Sequence, residues 1–160
     1  MADYPQCMTD DQFALLLEER AFGFGTARHV FSVPTDPDVV VKKTVRPHPG
    51  SNMTEWLIWQ AAAAAQKKLD GVLGRCISIS ESGTYLMMER LDDLNPSDYA
   101  DIPDVPAWFN DPKPDAFGKR NGVIKIRDYG LVHLDKLISE ATTHPPAFAV
   151  NARTKRDFGI

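Results

Sequence analysis

A polar, acidic start gives way to apolar residues at helical spacing, Phe13, Leu16 and Leu17, behind Thr9-Asp10-Asp11, a capping residue with an acidic first turn. This pattern predicts a short amphipathic helix that runs toward Gly23. The spacing then changes. His29 to Val33 and Val39 to Thr44 are rich in β-formers, and Pro34-Thr35-Asp36-Pro37-Asp38 between them favours a turn, so the two predict a hairpin. Asn52 to Leu69 predicts the longest helix, with five consecutive alanines supplying propensity and Gly71 near its end. A second hairpin is expected from Arg75 to Ser80 and Thr84 to Glu89, joined through Glu81-Ser82-Gly83.

Beyond Asp92 the periodicity fades. Seven aspartates and five prolines fall within the 24 residues from Asp92 to Asp115, which read as an ordered loop or connection. Asn121-Gly122 suits a type I′ turn, with Val123 to Arg127 as the outgoing strand of a last hairpin. Leu131 to Ala141 is expected to be a short helix, and the tail after Pro145-Pro146 to be irregular. The order α, β, β, α, β, β predicts an α+β fold: an antiparallel five-stranded sheet on one long helix, with a minimal second lobe that carries a hairpin. A single domain is expected over 1–160, divided into parts 1–91 and 92–160.

Composition narrows the class. A chain of 160 residues with 43% hydrophobic and 25% charged residues fits one globular domain and argues against wholesale disorder or a fibrous repeat. Eighteen basic against 22 acidic residues give a net charge of −4, which offers no footprint for a nucleic-acid backbone. Cys7 and Cys76 match neither a metal pair nor a redox pair, so reduced thiols and a cytoplasmic location are expected. The start M-A-D-Y-P-Q-C has no basic-then-apolar signal pattern. The longest apolar run, around Trp56 to Ala65, is broken by Gln60 and ends in Gln66-Lys67-Lys68, too short for a bilayer, and no membrane partner is expected.

Candidate chemistry gathers in four segments. Gly23-Phe24-Gly25-Thr26-Ala27-Arg28-His29-Val30 places two small residues where backbone amides could approach phosphates, or where Gly23 caps a helix and Gly25 eases a turn. Arg28 stands where a third glycine would complete the phosphate-loop pattern. In Val39-Val40-Val41-Lys42-Lys43, strand alternation puts Val40 and Lys42 on one face, so the ammonium can be aimed from an apolar wall, or can simply mark a solvated strand end. Glu55 can pair with Lys42, or can close a capping box on Asn52. Two acidic residues, Asp111 and Asp128, flank the last hairpin, one suited to accept a proton and one to hold a metal ion.

Taken in order, these pieces resemble the protein-kinase-like superfamily in a reduced, miniature or degenerate form, over about residues 20 to 132. G-F-G-T-A-R-H-V resembles the glycine-rich loop, V-V-V-K the phosphate-binding lysine strand, Glu55 its helix partner and M-M-E-R-L the hinge. F-N-D-P-K-P-D-A resembles the catalytic loop, and I-K-I-R-D-Y-G the magnesium-binding element. The resemblance implies a kinase that uses ATP and Mg2+ to phosphorylate a protein or small-molecule hydroxyl. Compact, incomplete kinase-like proteins are associated with bacteria and bacteriophages, which extends the expectation to a host cytoplasm.

Carried over by position, the resemblance implies that Lys42 contacts phosphates under the loop of Gly23 and Gly25, with Glu55 orienting it. Val30, Val40 and Met88 (or Met87) would enclose the adenine, and backbone groups from Glu89 to Leu91 would meet its edge. Asp111 would accept the proton, Lys113 would neutralise the transferred group, and Asp128 would hold magnesium.

The chain departs from the family pattern in three places. Ala116 stands at the metal-binding asparagine position and cannot ligate a cation. Only 30 residues follow Gly130, too few for the usual substrate-presenting helices, and Phe109-Asn110 replaces the His-Arg before the catalytic aspartate. These departures imply a second reading, a pseudokinase that acts as a binding module. A literal Asp157-Phe158-Gly159 near the C-terminus lacks a preceding strand and is not expected to serve as the metal element.

Overall fold

In the computed structural model, which describes residues 2–45, 50–65, 71–110, 112–132 and 143–159, one sheet divides two apolar clusters. Its strands are β1 (Cys7–Met8), β2 (Gly23–Phe24), β3 (Arg28–Ser32), β4 (Val39–Thr44), β5 (Cys76–Ser80) and β6 (Tyr85–Glu89). They lie in the order β1-β5-β6-β4-β3-β2, with β1 parallel to β5 and every other pair antiparallel. The sheet is thus six-stranded and mostly antiparallel, which corrects the expected five. A two-residue strand shows no alternation, and β1 is set by its partner, through Ile79 and Glu81 amides donating to the carbonyls of Gln6 and Met8, and by the buried Met8 side chain.

Alternation along β4 explains the division. Val39 and Val41 are fully buried on one face with Phe13, Tyr85 and Met87. Here α1 (Asp10–Leu16) covers the sheet, its Phe13 ring stacked on Tyr85 at 5.4 Å. Thr9 and Gln12 form its capping box, and it stops at Leu16 rather than running toward Gly23. Val40 and Lys42 face the other side, where α2 (Gly50–Ala65) packs Ile58 and Ala62 against Leu86 and Met88. The part of the expected helix beyond Ala65, to Leu69, lies outside the described residues.

The apolar cluster under α2 continues into the second half of the chain, taking in Ile102, Trp108, Phe109, Phe117, Ile126 and Tyr129. A 3-10 turn over Pro96–Asp101, the short strand β7 (Val105–Pro106) and a second 3-10 turn over Pro114–Ala116 lead to the hairpin of β8 (Phe117–Arg120) and β9 (Val123–Ile126). Asn121 and Gly122 at its tip both have positive φ, 51° and 79°, as a type I′ turn requires. Gly118 is needed for a close approach: a Cβ there would stand 2.5 Å from that of Leu91.

After β10 (Thr143–His144), paired with β7, the tail is not irregular as expected but forms α3 (Ala147–Phe158). Pro146 precedes its first turn, Lys155 and Arg156 oppose the dipole at its end, and Gly159 closes it at φ 67°. Asp157-Phe158-Gly159 is therefore the end of a helix. Arg153 fastens α3 by donating to the carbonyls of Ala100 and Ile102, and Phe148 packs edge-on to Tyr99 and Phe117. The short helix expected from Leu131 to Ala141 falls almost wholly outside the described residues. Among the described residues no helix is long and apolar enough to cross a membrane.

Candidate functional site

A cleft of about 780 Å³ opens where the β2–β3 turn overhangs the sheet and faces Lys113, Asp115, Arg127 and Asp128, which flank the β8–β9 hairpin. Register places its walls. Val30 lies opposite both Gly23 and Lys42, and Val40 lies opposite Met88, so loop glycine, two valines, lysine and methionine share one apolar-to-polar surface. A Cβ on Gly23 would approach that of Val30 to 3.2 Å, so the absent side chain lets β2 lie close over β3.

Of the residues singled out from the sequence, Gly23, Gly25, Val30, Val40, Lys42, Met88, Glu89, Leu91, Lys113 and Asp128 border this one cleft. Glu55 stands behind Lys42, fully buried. Asp111 lies outside the described residues; its neighbours Asn110 and Pro112 are described, and the Asn110 amide donates to the carbonyl of Leu131 at 3.4 Å.

The floor of the cleft is an ion cluster. Lys42 Nζ donates to both oxygens of Glu55, at 3.0 and 2.9 Å, and to the carbonyl of Arg127 at 2.5 Å. Glu55 does not cap the helix. Because α2 begins at Gly50, Asn52 lies inside its first turn and spends its amide on the carbonyls of Lys42, Gly83 and Thr84. Glu55 also accepts from the Tyr129 amide at 2.9 Å.

Sequence reading missed the fourth member. Arg28 is 8% exposed; its guanidinium reaches Glu55 at 2.8 and 3.0 Å, the Asn52 side-chain oxygen at 3.3 Å, and the Asp128 carboxylate. In the sequence it marked a failed glycine pattern; in the fold it joins β3, α2 and the segment after β9. Its one local signal is a cation in a β-rich stretch beside a glycine turn, and that signal carries no partner.

Two cations and two carboxylates balance here. Burial opposes the charge of Arg28, but Glu55 and then Asp128 outweigh it, and the guanidinium is held more firmly protonated than usual. Asp128 is half exposed, and although the protein around it partly desolvates its carboxyl and pushes it up, Lys42 and then Arg28 prevail and hold it below the usual carboxylate range. Beneath them, burial and then Glu55 push the Cys76 thiol up to about 12. Tyr129, fully buried, donates its hydroxyl to the Gly74 carbonyl at 2.8 Å and contacts the Cys76 sulfur at 3.1 Å.

The Glu89 to Leu91 backbone is partly committed within the chain. The Glu89 and Arg90 amides donate to the carbonyls of Arg75 and Asp38, and the Glu89 carboxylate accepts from Lys125 at 2.6 Å. At the mouth, Arg90 lies over the Phe22 ring, 5.0 Å from its centroid.

The described residues do not fit a magnesium centre. Asp128 is the one carboxylate that the resemblance assigns to the ion among them, and Arg28 already engages it; the Ala116 side chain is buried in the core and offers no oxygen. Among the described residues no three His, Cys, Asp or Glu side chains group as metal ligands. No protein-family model and no curated protein matches the chain.

Proposed function

We propose that the chain is a reduced kinase-like protein that takes an adenine nucleotide into the cleft and transfers a phosphoryl group to a hydroxyl of a protein or small molecule. The observation that carries this reading is the Lys42–Glu55 pair set under the glycine turn, with Val30, Val40 and Met88 walling the same cleft. A planar base fits the apolar end, and the phosphates meet Lys42 and Lys113 at the charged end. Because the Glu89 and Arg90 amides are committed and the Leu91 carbonyl accepts from Arg127, the Leu91 amide is assigned to the base edge. Asp111 is assigned the proton-accepting role through the resemblance.

A second reading has its own support. The buried Ala116 and the Arg28–Asp128 pair both remove metal ligation, which favours a pseudokinase, a nucleotide-holding module that acts by binding a protein. One experiment addresses both. Thermal protection by millimolar ATP, with shifts at Gly23 to Val30 and Met87 to Leu91 signals, is the expected result; no protection and no shifts would end the nucleotide reading. Autophosphorylation or phosphate release that disappears in Asp111→Asn then selects the kinase, and its absence selects the binding module.

A further inference from the structure

We infer that Arg28 takes the place of the divalent cation in this cleft, so that the ligand taken up is a nucleoside triphosphate free of metal. This rests on the nucleotide reading above. A triphosphate beside Asp128 needs positive charge between the two, and in a metal-dependent site the ion supplies it. Here a guanidinium already stands on Asp128, fixed from behind by the two Glu55 oxygens and by Asn52.

Three features make Arg28 a fixed cation rather than a passing surface contact. It is nearly enclosed, its partners come from two separate elements, and it borders the cleft together with Lys42. Its terminal N–H groups are spent on Glu55, Asn52 and Asp128, so the guanidinium acts on a phosphate through its fixed charge. A metal ion arriving at Asp128 would meet the positive charges of Arg28 and Lys42 and would gain no oxygen from Ala116. A nucleotide phosphate meets the same two cations with favourable sign. Arg28 thus acts as a positioning residue for Asp128 and as a fixed positive charge beside the phosphates.

The test is an ATP titration of the whole chain in EDTA and in magnesium, followed by protein NMR. Affinity for total ATP is expected to be higher in EDTA than in magnesium, because magnesium ties up the metal-free form, and equal affinity in the two would overturn the inference. Binding that requires magnesium would overturn the inference and leave the nucleotide reading standing, whereas binding in neither condition would remove both. Arg28→Gly is expected to lose about tenfold in EDTA affinity and to recover part of it with magnesium. Mn2+ without nucleotide supplies an independent readout: it should leave the Asp128 and Tyr129 amide signals of the unaltered chain sharp and broaden them in Arg28→Gly. Should that variant not fold, Arg28→Lys keeps the charge but loses the fork. It is expected to bind metal-free ATP more weakly and still to exclude Mn2+; undiminished affinity in Arg28→Lys, or Mn2+ broadening in the unaltered chain, would overturn the inference.

Discussion

The backbone amide of Tyr129 donates to Oε1 of Glu55 at 2.9 Å, across a sequence separation of 74 residues. Glu55 thereby serves three donors from three elements: the ammonium of Lys42 on β4, the guanidinium of Arg28 on β3 and the chain just after Asp128. One fully buried carboxylate fixes the position of α2 relative to both walls of the cleft.

Removing that charge leaves two cations opposed by Asp128 alone. Glu55→Gln is expected to destabilise the fold by about 3–5 kcal/mol, the usual effect of breaking a buried ion pair from one side. Asp128→Asn is expected to cost far less, because its side chain is 51% exposed and solvent screens the loss. Urea unfolding of the two variants checks the order. Equal midpoints would mean that Glu55 is not the centre of the cluster.

Val40 gives a way to close the cleft without touching its charges. Its side chain faces the cavity opposite Met88, so Val40→Phe is expected to fill the assigned adenine slot. Overpacking costs about 1–3 kcal/mol, and the variant is expected to melt as one cooperative unit. Calorimetry should show that transition unmoved by millimolar ATP. A nucleotide-induced shift as large as that of the unaltered chain would place the base elsewhere.

Local pattern revealed the elements whose cause is local. The Asn121-Gly122 turn, the two main hairpins and the valine–lysine strand follow from residues next to one another. Lys42 and Glu55 could be paired from the order of motifs. Arg28 could not, because its role depends on partners 27 and 100 residues away and no local rule makes a strand arginine a buried bridge. Helix α3 was legible in principle: Pro146 before it, cations in the last turn and Gly159 after it form a start and a stop. The Pro145-Pro146 pair alone instead reads as the mark of an irregular tail. The strand Cys7–Met8 had no such signal, being defined by β5 alone.

Gly130 tests how closely the segment after Asp128 must meet α2. A Cβ there would lie 2.9 Å from the Ser51 Cβ and 3.0 Å from the Ser51 carbonyl oxygen, so the first turn of the helix would have to retreat. Gly130→Ala is expected to lose about 1–3 kcal/mol and to weaken nucleotide binding in step, since the same retreat pulls Glu55 from Tyr129. Amide exchange at Tyr129 reports the break. Slow exchange retained in the variant would show that the helix does not move.

Cys76 makes the buried cluster visible through alkaline pH and thiol chemistry. Its thiol is pushed up to about 12 by burial and by Glu55, whereas an unfolded cysteine titrates near about 8.5. The folded chain therefore holds the proton more tightly than the unfolded one. Above the unfolded value the unfolded state binds fewer protons, and stability falls with rising pH until the folded value is reached. Cys76→Ala lacks this loss, so the stability advantage of the unaltered chain over the variant is expected to shrink progressively above about pH 9. Below that pH, exposed Cys7 is expected to react promptly with a disulfide reagent, and Cys76 only as fast as the fold opens. Prompt labelling of both thiols, or a pH-independent gap between the two proteins, would show that the floor of the cleft admits solvent.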